Sequence, residues 1–81
     1  MYLKEKSFGD YDRMIELLEA ERRVAECNAL VERQRKLIEQ LGHEGDDITS
    51  ARIVFDSLCV SLSLHVQDRH RLRTKQKLKA A

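Results

Sequence analysis

The chain has 81 residues, which allows one small domain with a modest core. Proline is absent and only three glycines occur, so β-sandwiches and barrels, which need many turn residues, are excluded. Charged residues make up 36% of the chain and hydrophobic residues 42%, a mixture typical of long amphipathic helices. The net charge is only +1, so the chain as a whole is not polybasic. The composition predicts an all-α protein.

The first helix is predicted over residues 10–41, after a flexible lead-in over residues 1–9. Ser7 and Asp10 are the candidate residues for capping its amino-terminal end. No helix-breaking residue follows until Gly42. The run is long enough to form about nine helical turns at 3.6 residues per turn.

Apolar residues in helix 1 recur with the seven-residue spacing of a coiled-coil seam. The a positions are Leu17, Val24, Val31 and Ile38, and the d positions are Ala20, Cys27, Gln34 and Leu41. Three of the four d positions are small or polar, which is unfavourable for a two-stranded zipper. Leu30 and Leu37 occupy neighbouring g positions and widen the apolar stripe. A widened stripe favours a hairpin or a bundle.

The segment from Gly42 to Asp47 interrupts this pattern and is predicted to form a turn. Gly42 or Gly45 can take the left-handed conformation that ends a helix, and Asp47 can cap the next one. Asp46 and Asp47 also stand where the positive end of a helix favours negative charge. Because so short a connection makes two helices antiparallel neighbours, the chain is predicted to be a helical hairpin.

The second helix is predicted over residues 48–75, followed by a basic, frayed tail over residues 76–81. One apolar stripe is predicted to face helix 1, although Arg69 interrupts it. This inward stripe consists of Ala51, Phe55, Leu58, Leu62, His65 and Leu72.

A second apolar stripe on helix 2, made of Ile53, Val60 and Leu64, lies on a different side from the first. One partner helix cannot cover so broad an apolar arc. Full burial of an exposed Leu or Val side chain stabilises by roughly 1.5–3 kcal/mol, so a second interface is expected. We therefore predict a homo-oligomer, most simply a two-fold dimer that forms a four-helix bundle or coiled-coil-like assembly.

The two cysteines, Cys27 and Cys59, are too few for the disulfide framework of a small secreted protein. The amino-terminal residues contain no apolar stretch of signal-peptide length. The longest continuous apolar stretches are also far too short to span a membrane. A cytoplasmic protein without a membrane association is therefore expected.

If the turn centres near residue 46, Cys27 and His65 are predicted to face each other across the hairpin. A thiolate and an imidazole can bind zinc or form an activated thiol. However, the chain lacks the C-x-x-C and H-x-x-x-H spacings of typical zinc sites. A free cysteine on a helix seam is more often a small packing residue. We therefore predict packing for both side chains.

The carboxyl-terminal end of helix 2 is strongly basic, whereas residues 1–50 hold 8 basic and 12 acidic side chains. Basic side chains that could contact a polyanion such as nucleic acid are Arg71, Arg73, Lys75, Lys77 and Lys79. Cations at the carboxyl end of a helix also favour its dipole. In a hairpin they would lie beside Asp10, Asp12, Glu16 and Glu19. The tail lacks aromatic residues that could stack on bases, so we favour the second explanation.

Four segments carry a family resemblance: Glu21–Glu26, Arg33–Ile38, Gly45–Arg52 and Leu62–Leu72. With these segments the chain resembles a group of short alphaproteobacterial proteins over residues 12–72. The group has no established activity, so the resemblance implies a helical hairpin and no particular chemistry. His65 and Arg69 match a recurring H-x-x-x-R step of the group and are candidates for a shared role. The architecture is also similar to a plasmid copy-control hairpin that dimerises and binds RNA, an analogy of fold alone.

The chain is therefore predicted to act through protein–protein association, including association with itself. The alternative function is a nucleic-acid-binding hairpin that uses the basic end of helix 2. No catalytic residue, metal or cofactor is predicted, because phosphate-binding glycine loops and nucleophile elbows do not occur in the sequence.

Overall fold

A computed structural model describes the backbone of residues 2–80 and the side chains of residues 11–77. Over that range the chain forms two α-helices and no strand. Helix α1 spans Tyr2–His43 and helix α2 spans Thr49–Ala80. The helices pack against each other in an elongated molecule of 66 × 18 × 15 Å. The all-α hairpin predicted from the sequence is confirmed.

Both helices are longer than the sequence prediction. α1 begins at Tyr2 rather than near residue 10, and α2 continues to Ala80 rather than ending near residue 75. Neither extension contains proline, and one glycine, Gly9, costs a helix only about 0.5–1 kcal/mol relative to alanine. The segments predicted as a lead-in and a frayed tail therefore continue the helices. Met1 and Ala81 lie outside the described residues.

A left-handed glycine ends α1. Gly45 has a φ of 77°, and its N–H donates to the carbonyl of Gly42 at 3.2 Å. The N–H of Asp46 donates to the carbonyl of Leu41 at 2.9 Å. These two hydrogen bonds form a Schellman motif, which satisfies carbonyls that the end of a helix would otherwise leave without partners. Of the two glycines considered for this role, Gly45 is the one that takes it.

Asp47 caps the beginning of α2, as the sequence predicts. Its Oδ1 atom accepts hydrogen bonds from the hydroxyl of Thr49 at 2.6 Å and from the backbone N–H of Thr49 at 2.9 Å. These two bonds, the hydroxyl's first, hold the pKa of Asp47 below its usual value. Helical bonding then begins with the N–H of Arg52, which donates to the carbonyl of Ile48 at 2.8 Å.

The seam between the helices follows the predicted heptad. In α1 every a and d position from Leu17 to Leu41 is buried or half-buried, while the side chains between them are exposed apart from Glu21. The most buried side chains are Ala20, Val24, Cys27 and Leu72. The first three of these are small, so the helices can approach each other closely.

The inward stripe of α2 is likewise confirmed, because all six of its residues are half-buried or buried. Arg69 is also half-buried and therefore belongs to the stripe instead of interrupting it. The aliphatic part of an arginine can lie along apolar surface while its charged group reaches water. Gln76, seven residues after Arg69, extends the stripe by one further position.

Two contacts between the helices show their antiparallel alignment. Near the turn, the Gln34 side-chain Nε2 donates to the carbonyl of Ala51 at 2.9 Å. Farther from the turn, an Nη2 atom of Arg73 lies 3.0 Å from a carboxylate oxygen of Glu21. The side chains of the ion pair are partly exposed, so the pair contributes only about 0–1 kcal/mol. The two contacts therefore favour one alignment of the helices more than they stabilise the fold.

The turn can be tested with two glycine substitutions of opposite expected sign. Gly45→Ala should destabilise the protein by about 1–2 kcal/mol, because an L-residue is strained at positive φ. Gly42→Ala should instead stabilise it by about 0.5–1 kcal/mol, since Gly42 is helical and has open space where the methyl group would lie. Urea unfolding at one fixed protein concentration measures both values. Equal effects for the two variants would contradict the assigned roles.

Candidate interaction surface

Three large apolar side chains of α2 point away from α1. Ile53 is 63% exposed, Val60 61% and Leu64 60%. Their spacings of seven and four residues place them on one side of the helix. This exposure is expected of a stripe that lies outside the hairpin seam. Their role as an interface remains a prediction.

Further apolar residues border this stripe. Val54 is exposed beside Ile53, and Leu30 and Leu37 of α1 are both 43% exposed. The sequence prediction used the two leucines to widen the stripe that meets α2, but the seam covers them only in part.

Both leucines and Val54 lie on the same side of the seam, because each comes one position before an a-type seam residue. Arg23 and Asp68 occupy equivalent positions on the two helices. The pKa of Asp68 is lowered mainly by the hydrogen bond from Arg71 and to a smaller extent by the charge of Arg23, which is consistent with positions on one side of the seam. We call the six residues on this side the apolar face: Leu30, Leu37, Ile53, Val54, Val60 and Leu64.

The apolar face contains few charges. Between Ile53 and Gln67 the only Asp, Glu, Lys or Arg is Asp56. Ser57 and Ser61, which are small and uncharged, lie among the apolar side chains of α2. Depletion of charge at the centre of a patch is a feature of protein interfaces, and small residues let a second backbone approach.

A second exposed apolar patch lies on α1, and the sequence analysis missed it. It consists of Tyr11, Met14, Ile15 and Leu18. The i, i+3, i+4, i+7 spacing of these residues is the signal of a helical stripe. The stripe lies outside the heptad pattern that begins at Leu17. Met14 precedes Glu21 by seven residues, so it lies on the side of the seam where Glu21 meets Arg73. The patch is therefore separate from the apolar face.

Two of the predicted polyanion contacts are already paired with carboxylates. Arg71 lies 2.7 Å from an oxygen of Asp68, and Arg73 lies 3.0 Å from one of Glu21. The hydrogen bond from Arg71 is the main reason why the pKa of Asp68 is lowered. Lys75 and Lys77 are exposed. The side chain of Lys79 lies outside the described residues.

None of the described carboxylates that were predicted to neutralise the basic end, Asp12, Glu16 and Glu19, forms an ion pair with it. Asp12 and Glu16 line a shallow depression together with Lys75. No described carboxylate, however, lies within salt-bridge distance of Lys75 or Lys77. The pair between Arg73 and Glu21 is the one that connects the helices.

His65 and Arg69 are half-buried, one turn apart on the inward stripe of α2. This position supports a structural role for the pair. Cys27 is buried and Cys59 half-buried, and both are free thiols. Among the described side chains, no group of three or more His, Cys, Asp or Glu residues is arranged to hold a metal ion.

No described part of either helix is both long enough and apolar enough to cross a membrane. Comparison with known proteins gives no family assignment. No protein-family model, curated protein or solved structure matches the chain.

For Cys27 and His65 we expect packing without metal ligation. Native mass spectrometry of protein purified without chelator should show no stoichiometric zinc, because a single thiol and a single imidazole per chain are poor ligands without further donors. The matched variant is Cys27→Ser. One zinc ion per two chains in the wild-type protein, lost from the variant, would overturn this expectation.

We expect only weak binding of nucleic acid by the basic end. Fluorescence anisotropy with mixed-sequence RNA and duplex DNA should show binding at about 50 mM salt that disappears at about 200 mM, since each phosphate contact contributes roughly 0.9 to the salt slope. The test variant is Lys75/Lys77/Lys79→Gln, and its control, Arg22/Arg33/Lys36→Gln, removes the same charge from α1. Tight binding at the higher salt, abolished in the test variant alone, would favour nucleic-acid recognition.

Proposed function

We propose that this protein is a cytoplasmic, non-enzymatic interaction module that acts by self-association of its helical hairpin. The observation that carries the proposal is the apolar face, of which three residues are more than half exposed in the single chain. Contiguous apolar surface of this kind on a small protein is typical of an interaction site.

The thin core supports this proposal. Among the side chains of residues 11–77 only four apolar ones are buried, and no large one is completely buried. A chain of this size needs an additional source of stability when its own core is small, and oligomerisation is a common one. Covering the apolar face would remove several Leu, Ile and Val side chains from water. Full burial of one such side chain stabilises by roughly 1.5–3 kcal/mol, and each would contribute a substantial part of that free energy.

A second copy of the chain is the simplest partner. In a two-fold dimer the same patch of each copy packs against the other, so one surface satisfies both chains. Two hairpins joined in this way form a four-helix bundle. Ile53, Val60 and Leu64 would lie at its centre, where Ser57 and Ser61 allow close packing.

Sedimentation equilibrium at micromolar concentration tests the proposal. The wild-type protein should have at least twice the chain mass of 9.5 kDa. Val60→Glu or Leu64→Glu should dissociate the assembly and retain most of the helix content by circular dichroism, because neither residue lies in the seam. The control Ala29→Glu makes a similar change at an exposed position of α1 and should stay associated. A monomeric wild-type protein of normal stability would contradict self-association.

A further inference from the structure

We infer that the two hairpins of the dimer are antiparallel, with the acidic turn of each lying against the basic end of α2 in its partner. The inference rests on the self-association proposed above and identifies the orientation of the second copy. The acidic turn consists of Glu44, Asp46 and Asp47, which are all exposed. The basic end consists of Arg71 and Lys75, which are also exposed.

The charged groups lie at the two ends of one stripe. Arg71 and Lys75 follow Leu64 by seven and eleven residues, so they continue the side of α2 that carries the apolar residues. At the other end of that stripe, the acidic turn precedes Ile53. Along α2 the order is therefore acidic turn, apolar centre and basic end.

The spacing along the chain suits a two-fold axis near Val60. Asp46 precedes Val60 by 14 residues and Lys75 follows it by 15. At about 1.5 Å per residue, Lys75 lies roughly 22 Å from the axis along α2, and Thr49, the first residue of α2, lies roughly 16 Å from it with Asp46 beyond it in the turn. An axis there reverses the second helix, and it brings Asp46 of each chain near Lys75 of the other.

These charges have few competing partners within the chain. Arg71 is paired with Asp68 of its own helix. Lys75 has no described carboxylate at salt-bridge distance, and the same holds for Asp46 with respect to described cations. Arg73, in contrast, is paired with Glu21 on the other side of the seam. The groups on the side of the apolar stripe are therefore the ones that can meet a second copy.

A parallel arrangement of the two copies would be repulsive at both ends. It would place turn beside turn and basic end beside basic end, which opposes association through like charges. Exposed ion pairs add little affinity, so the apolar face supplies the attraction. The charges select the orientation.

Charge reversal of each end tests this arrangement. The turn variant is Glu44→Lys/Asp46→Lys, which leaves the cap at Asp47 intact. The tail variant is Arg71→Glu/Lys75→Glu. Each variant alone should dimerise with a dissociation constant raised by roughly tenfold at low salt, because both contacts of its dimer become repulsive. Added salt should reduce the difference between the dissociation constants of the variant and the wild type.

An equimolar mixture of the two variants should form heterodimers with nearly wild-type affinity. In the mixed dimer, the basic turn of one chain meets the acidic tail of the other, and both remaining ends also have opposite charges. Native mass spectrometry with one isotopically labelled chain measures the mixture, and sedimentation equilibrium measures each variant. The control Arg22→Glu/Lys36→Glu changes the net charge on the far side of α1 by the same amount and sign as the tail variant and should keep wild-type affinity.

The outcomes separate the inference from the proposal that underlies it. A wild-type protein that remains monomeric would contradict self-association itself. A stable wild-type dimer whose affinity is unchanged in each variant alone would overturn the antiparallel orientation, even if the two variants prefer each other when mixed, because a parallel dimer would also favour the mixed pair. Repulsion from Asp12 and Glu16 of its own chain could also weaken the dimer of the tail variant, but the turn variant could not relieve that repulsion. A tail variant whose affinity is not restored by the turn variant would therefore also overturn the orientation.

Discussion

Two helices meet along a single line, and most features of this protein depend on that constraint. α1 and α2 bury side chains where the seven-residue repeats face each other, and the deepest of these in α1, Ala20, Val24 and Cys27, are small. Small side chains bring two helices close together, yet they remove little apolar surface from water. The seam therefore determines the shape of the hairpin and leaves several leucine, isoleucine and valine side chains without a partner in the same chain.

Polar groups contribute specificity to this arrangement. Gly45 and Asp47 end one helix and begin the next, which makes the chain reverse within a few residues. Gln34 occupies a d position and donates to the backbone of α2, where an apolar residue would have buried more surface. A polar residue at such a position can select one alignment of helices at some loss of stability.

The outer surface shows a similar division. Apolar residues occupy the middle of one side of the hairpin, while opposite charges occupy its two ends. In protein association, apolar burial supplies most of the affinity, and charge patterns control orientation and reject unsuitable partners. Self-association of the hairpin would use both elements, and the second patch around Tyr11 and Leu18 would remain outside that contact.

The sequence by itself determined the hairpin, because its signals are local: a seven-residue repeat, a glycine at the turn and an aspartate cap. It also separated the seam of α2 from the stripe of Ile53, Val60 and Leu64, since helical periodicity alone assigns residues to sides. Only the tertiary structure decided how far each side chain is covered. Arg69 is half-buried in the seam, and Leu37 stays partly in water, because coverage depends on where the opposite helix lies. The pairing of Arg73 with Glu21 likewise required the alignment of residues that are far apart in the chain, which no local pattern encodes.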